Sequence, residues 1–237
     1  MFTEFEIGNS EPHNSAHERH AIDLRKLKKV QKQISREVVI AGLFNQQIRT
    51  ISGIDLAYMG ESAIVAIATF DYRDKKIIDK KVEIEKVDFP YIPGFFGFRE
   101  GMIIMRTMSR LALNSDIYMI NAHGIAHPER CGCASHVGVL MRKPTIGIAG
   151  NILCGSYKKS PSRVGEWVPL IYANQTVGAI LKSKEGCRPI VVSPGHLVSL
   201  KKSIRIVKNF LRGNKFPEPL CVAHEIAKQK KREMNNT

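Results

Sequence analysis

The chain predicts a single α/β domain in which one mixed sheet, three antiparallel strands followed by parallel strands, is flanked by helices. Three observations predict it. Three strand-like runs near the N-terminus, Thr50 to Tyr58, Ser62 to Tyr72 and Lys76 to Val87, are separated only by MGE and RDK, gaps that suit hairpins. Later apolar runs alternate with helical periodicity, which indicates parallel pairing with crossover helices. A length of 237 residues, 43% of them hydrophobic, suits one core, since single cores stop growing near roughly 250–300 residues.

In chain order, residues 1–22 are polar and read as a flexible N-terminal extension, and residues 23–237 form the domain. From about Asp23, Leu24, Leu27, Val30 and Ile34 recur at helical spacing with Arg25, Lys26, Lys28, Lys29 and Lys32 mostly on the other face, predicting a docked helix with a solvated basic side. After the three strands and a PYIPG loop, the period changes: Phe98, Met102, Met105, Met108 and Leu111 mark a helix of about four turns. A buried strand at Ile117–Ile120 follows, then a loop, a helix near Ala134–Met141 and a strand at Pro144–Ala149. Beyond Gly155 come strand candidates at Trp167–Tyr172 and Val177–Leu181, the run PIVVSPGH, and closing helices near Val198–Leu211 and Pro219–Arg232.

Charge narrows the partners. Lys and Arg number 36 against 22 Asp and Glu, a formal net charge of +14. Such an excess points to a polyanion, most commonly nucleic acid. An anionic membrane surface would attract the same charge, but no apolar run approaches the roughly 20 residues that cross a bilayer, and the N-terminus lacks a signal-peptide pattern. A cytoplasmic protein without membrane association is expected. Five cysteines without framework spacing suit reduced thiols, and the CGC at 131–133 is not a C-x-x-C. His13, His17 and His20 share a helical face, yet no sulfur or carboxylate ligand set surrounds them, so they read as solvated.

Three polar residues stand where packing alone does not ask for them. Asp55, within ISGIDLAY, shares a strand face with Gly53 and Ala57, and an ionised group there is either half-exposed or partnered. Glu100 falls in the first turn of the long helix, where the helix dipole alone favours a carboxylate by ~0.3–1 kcal/mol. Asn121 begins the loop after Ile117–Ile120, at a strand end where α/β sheets gather functional groups, although Asn also starts ordinary turns.

Taken in order, PYIPG-F-x-x-FREG, H-G-I-A-H-P-x-R, x-A-S-H-x-G, P-T-I-G-I-A and V-S-P-G-H resemble the endonuclease V family of nucleic-acid repair enzymes, over roughly Val30 to Ala223. The resemblance implies a ribonuclease H-like fold and a divalent-metal nuclease that recognises hypoxanthine in DNA or RNA. Such an enzyme cuts the second phosphodiester bond on the 3′ side of the lesion and leaves 5′-phosphate ends. It places metal-site residues at Asp55, Glu100 and Asn121, with Mg²⁺ as cofactor and Mn²⁺ as the alternative. It places the aromatic wedge at Tyr91, with Ile92, Pro93 and Gly94 in the same loop. His127 and His196 match positions near the scissile phosphate, and Gly124, Ile125 and Gly147 match backbone around the base pocket. A monomer is expected.

Two departures from the family pattern bear on activity. Where the family has aspartate in D-G-x-G this chain has Asn121, and where it has lysine in I-G-V-A-K this chain has Gly150. An amide oxygen can ligate a hard cation but brings no charge. At an effective dielectric near 20, a unit pair at 4 Å is worth about 4 kcal/mol, so the loss matters. Asp116, five residues earlier, points to the opposite face and lies about 16 Å away, too far to compensate. Glu129 has the reach to replace the lost carboxylate, and His123 can offer nitrogen, which would favour Mn²⁺. The alternative function is a family relative that binds inosine-containing strands without cutting them.

Overall fold

The computed structural model describes residues 22–40 and 47–236. Residues 1–21 of the predicted extension, with His13, His17 and His20, lie outside the described residues. The rest folds around one eight-stranded sheet of order β3-β2-β1-β4-β5-β8-β7-β6, with β1 Thr50–Met59, β2 Ser62–Asp71, β3 Ile77–Lys86, β4 Ile117–Ile120, β5 Thr145–Ala149, β6 Trp167–Tyr172, β7 Gln175–Leu181 and β8 Ile190–His196.

The first three strands are antiparallel as their short gaps require, and β1, β4 and β5 run parallel. Beyond β5 the pattern departs from the expectation of parallel strands: β8, β7 and β6 are all antiparallel. The PIVVSPGH run is β8, an internal strand despite Pro194. Ladder pairing slips where Pro194 opposes Ile146 and His196 opposes Thr145, and a bulge is where an internal strand tolerates proline.

Helices cover both faces. On one side α4 (Leu200–Asn209) and α5 (Glu218–Asn235) cover Ile51, Met119, Ile146 and Val192; on the other α2 (Met102–Arg110) and α3 (Cys133–Met141) cover Ile54, Tyr118 and Ile120. The alternation along β1 and β4 therefore sends odd-numbered residues toward α5, and Asp55 and Asn121 share that parity.

Two helices differ from expectation. The long helix opens with a π-helical turn, Gly97–Gly101, that carries Glu100, a distortion frequent at functional sites. The first helix, α1 (Leu24–Glu37), is capped by Asp23, whose side chain accepts from the Arg25 and Lys26 amides. It docks through Gln31 and Ile34, while Leu24 and Val30 stay exposed. Lys28 is not merely solvated: it pairs with Glu129 at 2.9 Å.

Candidate functional site

The lone carboxylate on β1 has two partners. Asp55 is buried, its Oδ1 accepts from Asn121 Nδ2 at 2.9 Å, and its Oδ2 lies 2.8 Å from His224 Nδ1. Asn121 arrives because β4 pairs parallel with β1, Ile54 opposite Ile120, so the residue after β4 meets the next residue of β1. His224 arrives through Gly53. A Cβ at Gly53 would come within 2.3 Å of the Pro219 backbone, so only glycine lets the start of α5 lie against β1. From Pro219 to His224 the helix rises ~7.5 Å, and from Gly53 to Asp55 the strand advances ~6.7 Å. The two side chains therefore meet.

These residues line a cleft of about 310 Å³ together with Phe216, Cys221 and Glu225. Glu100 is not among the residues lining this cleft and accepts a hydrogen bond from Tyr58 Oη at 3.0 Å. Burial raises its pKa above the usual carboxylate range, the Tyr58 hydrogen bond opposes the shift, and the nearby Asp55 charge adds to it. Arg99 lies over the Tyr58 ring at 4.6 Å and steadies this group. One carboxylate, an amide and an imidazole thus meet in the cleft, and the charge of a second carboxylate, Glu100, is felt by the first.

A second cavity measures about 120 Å³. Its walls come from the PYIPG loop, with Tyr91, Pro93 and Gly94, and from the 122–133 loop, with Ala122, His123 and His127. Tyr91 is 62% exposed at the rim, its ring 5.3 Å from that of Phe96. Two donors clamp the loops together at the Gly94 carbonyl: Gln31 Nε2 at 2.7 Å and His127 Nε2 at 3.0 Å. His127 Nδ1 accepts from the Glu129 amide at 3.1 Å, which assigns the ring proton to Nε2. Burial holds the His127 pKa below its usual value, so the ring is neutral.

Several sequence expectations meet a different geometry. His127 uses both nitrogens to fasten the pocket, so in this structure it positions the loops. His196 is at the far end of β8, opposite Thr145, whereas the cleft lies past the Ile120–Gly147 pair, and its Nδ1 accepts from the Val39 amide at 3.2 Å. Gly124 and Ile125 spend their amides on Ser193 Oγ and the Pro194 carbonyl, each at 2.8 Å. Gly147 instead permits backbone packing, since a Cβ there would lie 2.3 Å from Gly124 N. Neither Ile92 nor these three residues lines the cavity.

Glu129 does not replace the lost carboxylate, because it is committed to Lys28. His123 likewise faces the second cavity, with Nε2 2.9 Å from the Asn151 carbonyl. Asp116 binds the Arg49 and Thr50 amides at the opposite end of β1, as its distance along the strand required. Sequence reasoning missed His224 and Gln31. The available signal for His224 was its place on the C-terminal helix beside buried Ala223, at the edge of the stripe formed by Leu220, Ala223 and Ala227.

Comparison with known proteins agrees with this geometry. A family model described as Endonuclease V matches residues 32–225. An endonuclease V of Roseiflexus castenholzii is 36% identical over 88% of this chain and 93% of its own length. That of Archaeoglobus fulgidus is 34% identical over 91% and 97%. Among solved structures, endonuclease V from Streptomyces avermitilis superposes with a TM-score of 0.81 at 26% identity, covering 89% of this chain and 94% of the other. One from Ciona intestinalis, in complex with DNA containing an inosine, superposes at 0.77 with 20% identity over 89% and 98%. The architecture is the ribonuclease H-like fold, and the chain belongs to the endonuclease V family of nucleases.

Proposed function

We propose that this chain is a divalent-ion-dependent endonuclease that binds DNA or RNA containing hypoxanthine and cuts the second phosphodiester bond on its 3′ side. The observation that carries it is that one loop serves two cavities: Asn121 lines the carboxylate cleft, and the next two residues, Ala122 and His123, line the cavity edged by Tyr91. A base taken out of its stack needs an enclosed pocket, and the neighbouring phosphates then need a polar site within a nucleotide or two. The Ciona relative solved with inosine-containing DNA supports the same assignment.

The donor set fits a divalent ion in kind. Asp55 and Glu100 supply carboxylate oxygen, Asn121 supplies amide oxygen once its side chain turns over, and His224 supplies nitrogen. Among the described residues, no three His, Cys, Asp or Glu side chains already converge as a cage, because Asp55 is engaged by Asn121 and His224. A nitrogen donor and a neutral amide favour Mn²⁺ over Mg²⁺. When bound, such an ion would neutralise phosphate charge and help to generate a nucleophile at neutral pH. The chain itself orients the reactants. Tyr91 stacks where the base leaves, Gln31 and His127 hold its loop, and Asp55 fixes His224 beside the phosphate path.

One observation favours the alternative, a reader that binds without cutting: Asn121 donates to Asp55, the orientation of an amide that satisfies the carboxylate in place of a cation. A single-stranded oligonucleotide carrying one deoxyinosine, compared with its deoxyadenosine counterpart in Mg²⁺ and in Mn²⁺, separates them. Selective cleavage, stronger in Mn²⁺, supports the nuclease; selective retardation without product supports the reader.

A further inference from the structure

We propose that Lys215 provides the phosphate-contacting cation of the cleavage site, reaching it from the segment before α5 and filling the space that Gly150 leaves at the end of β5. A Cβ built at Gly150 would lie 3.4 Å from Lys215 Nζ and 3.5 Å from Phe216 Cζ, so the ammonium sits where a side chain from residue 150 would begin. Lys215 lies over the Phe216 ring, 5.7 Å from its centroid, and Phe216 is a wall of the Asp55 cleft. Gly150 itself lines a neighbouring groove of about 400 Å³ that contains Asn151, Tyr157 and Arg188.

Lys215 itself lines neither, but its ammonium lies between Phe216 of the first and Gly150 of the second. Its backbone is pinned, since the Lys215 carbonyl accepts from Ser183 Oγ at 2.5 Å, while no carboxylate among the described residues pairs with its head. A cation held at its stem, placed over an aromatic wall and lacking an anionic partner is suited to take a phosphate oxygen. It steadies charge that develops during cleavage, the kind of contact that contributes roughly 10²–10³ in rate. Lys215 has this catalytic use only if the chain is the nuclease proposed above, whereas its phosphate contact is independent of cutting.

The test uses Lys215→Met, which keeps the stem against Phe216, and Lys215→Arg, which keeps the charge. Binding of a single-stranded deoxyinosine oligonucleotide is measured against salt in Ca²⁺, and single-turnover cleavage in Mn²⁺. Lys215→Met is expected to lower the magnitude of the salt slope by about 0.7, the value of one single-strand phosphate contact, and to slow cleavage by roughly 10²-fold. Lys215→Arg keeps the slope. Gly150→Lys added to Lys215→Met is expected to restore cleavage at least tenfold, because a cation from residue 150 starts beside the place that Lys215 Nζ leaves. An unchanged salt slope in Lys215→Met overturns the proposal. A native chain that binds but never cuts overturns the nuclease, and the slope still decides Lys215.

Discussion

Asn121 donates its side-chain N–H to Asp55 Oδ1 across 2.9 Å, so the residue where the family pattern has a second aspartate acts here as a donor. This contact stabilises the ion-free cleft and competes with any cation for the same oxygen. Replacing the amide by a carboxylate would set two like charges at hydrogen-bond distance. Asn121→Asp is expected to lower the melting temperature in chelator and to raise it again in Mg²⁺. Divalent affinity should rise at least tenfold, a conservative fraction of the ~4 kcal/mol of one close unit pair. Calorimetric titration of Mg²⁺ alongside thermal melts checks both halves.

His224→Ala removes the exposed partner of Asp55 without opening the core, because the His224 side chain is 60% exposed. Binding of a deoxyinosine strand in Ca²⁺ should stay within about twofold of the native chain. Cleavage should fall about 10–100-fold, the usual effect of losing a group that orients a metal site. Equal losses in binding and cleavage would place His224 in strand contact instead.

Tyr91→Ala should weaken strand binding by about 1–3 kcal/mol, the worth of one base on an aromatic platform. The melting temperature should not move, since the ring is 62% exposed. A large loss of stability would show that the ring holds the loop together, the task assigned here to Gln31 and His127.

Burial raises the Glu100 pKa first, with the Tyr58 hydrogen bond opposing and the Asp55 charge adding. A carboxyl whose folded pKa is raised contributes its full stability below the unfolded value near 4.5 and loses it as pH rises through the folded value. Glu100→Gln keeps the acceptor for Tyr58 and is expected to raise the melting temperature at pH 7, because it removes a buried charge. It should give no gain at pH 4. Cleavage should be lost at both, so stability and activity move in opposite directions.

How much of this was legible in the sequence follows from range. The first three strands and β4 were readable because two-residue alternation and short gaps are local signals. Asp55 was readable as a charge inside an apolar run, and Asn121 as a polar residue ending one. β8 was obscured by Pro194, whose bulge repairs the ladder in a way that no local pattern announces. The docking of α1 followed Gln31 rather than Leu24 and Val30, because its partner is the Gly94 carbonyl, 63 positions away. His224 lies 169 positions from Asp55, and only the close approach of α5 at Gly53 joins them. Loop motifs located His127 and His196 in sequence but not their nitrogens, which the fold assigns to backbone groups.

The most direct measurement is a Mn²⁺ titration of the native chain and of Asp55→Ala, followed by electron paramagnetic resonance, with the cut in a deoxyinosine strand mapped to single-nucleotide resolution. Saturable binding lost in Asp55→Ala, ¹⁴N coupling lost in His224→Ala, and one product at the second linkage 3′ of the lesion are the predicted results. Mn²⁺ binding that is indifferent to Asp55, with the strand left whole, would contradict a cleavage centre in this cleft.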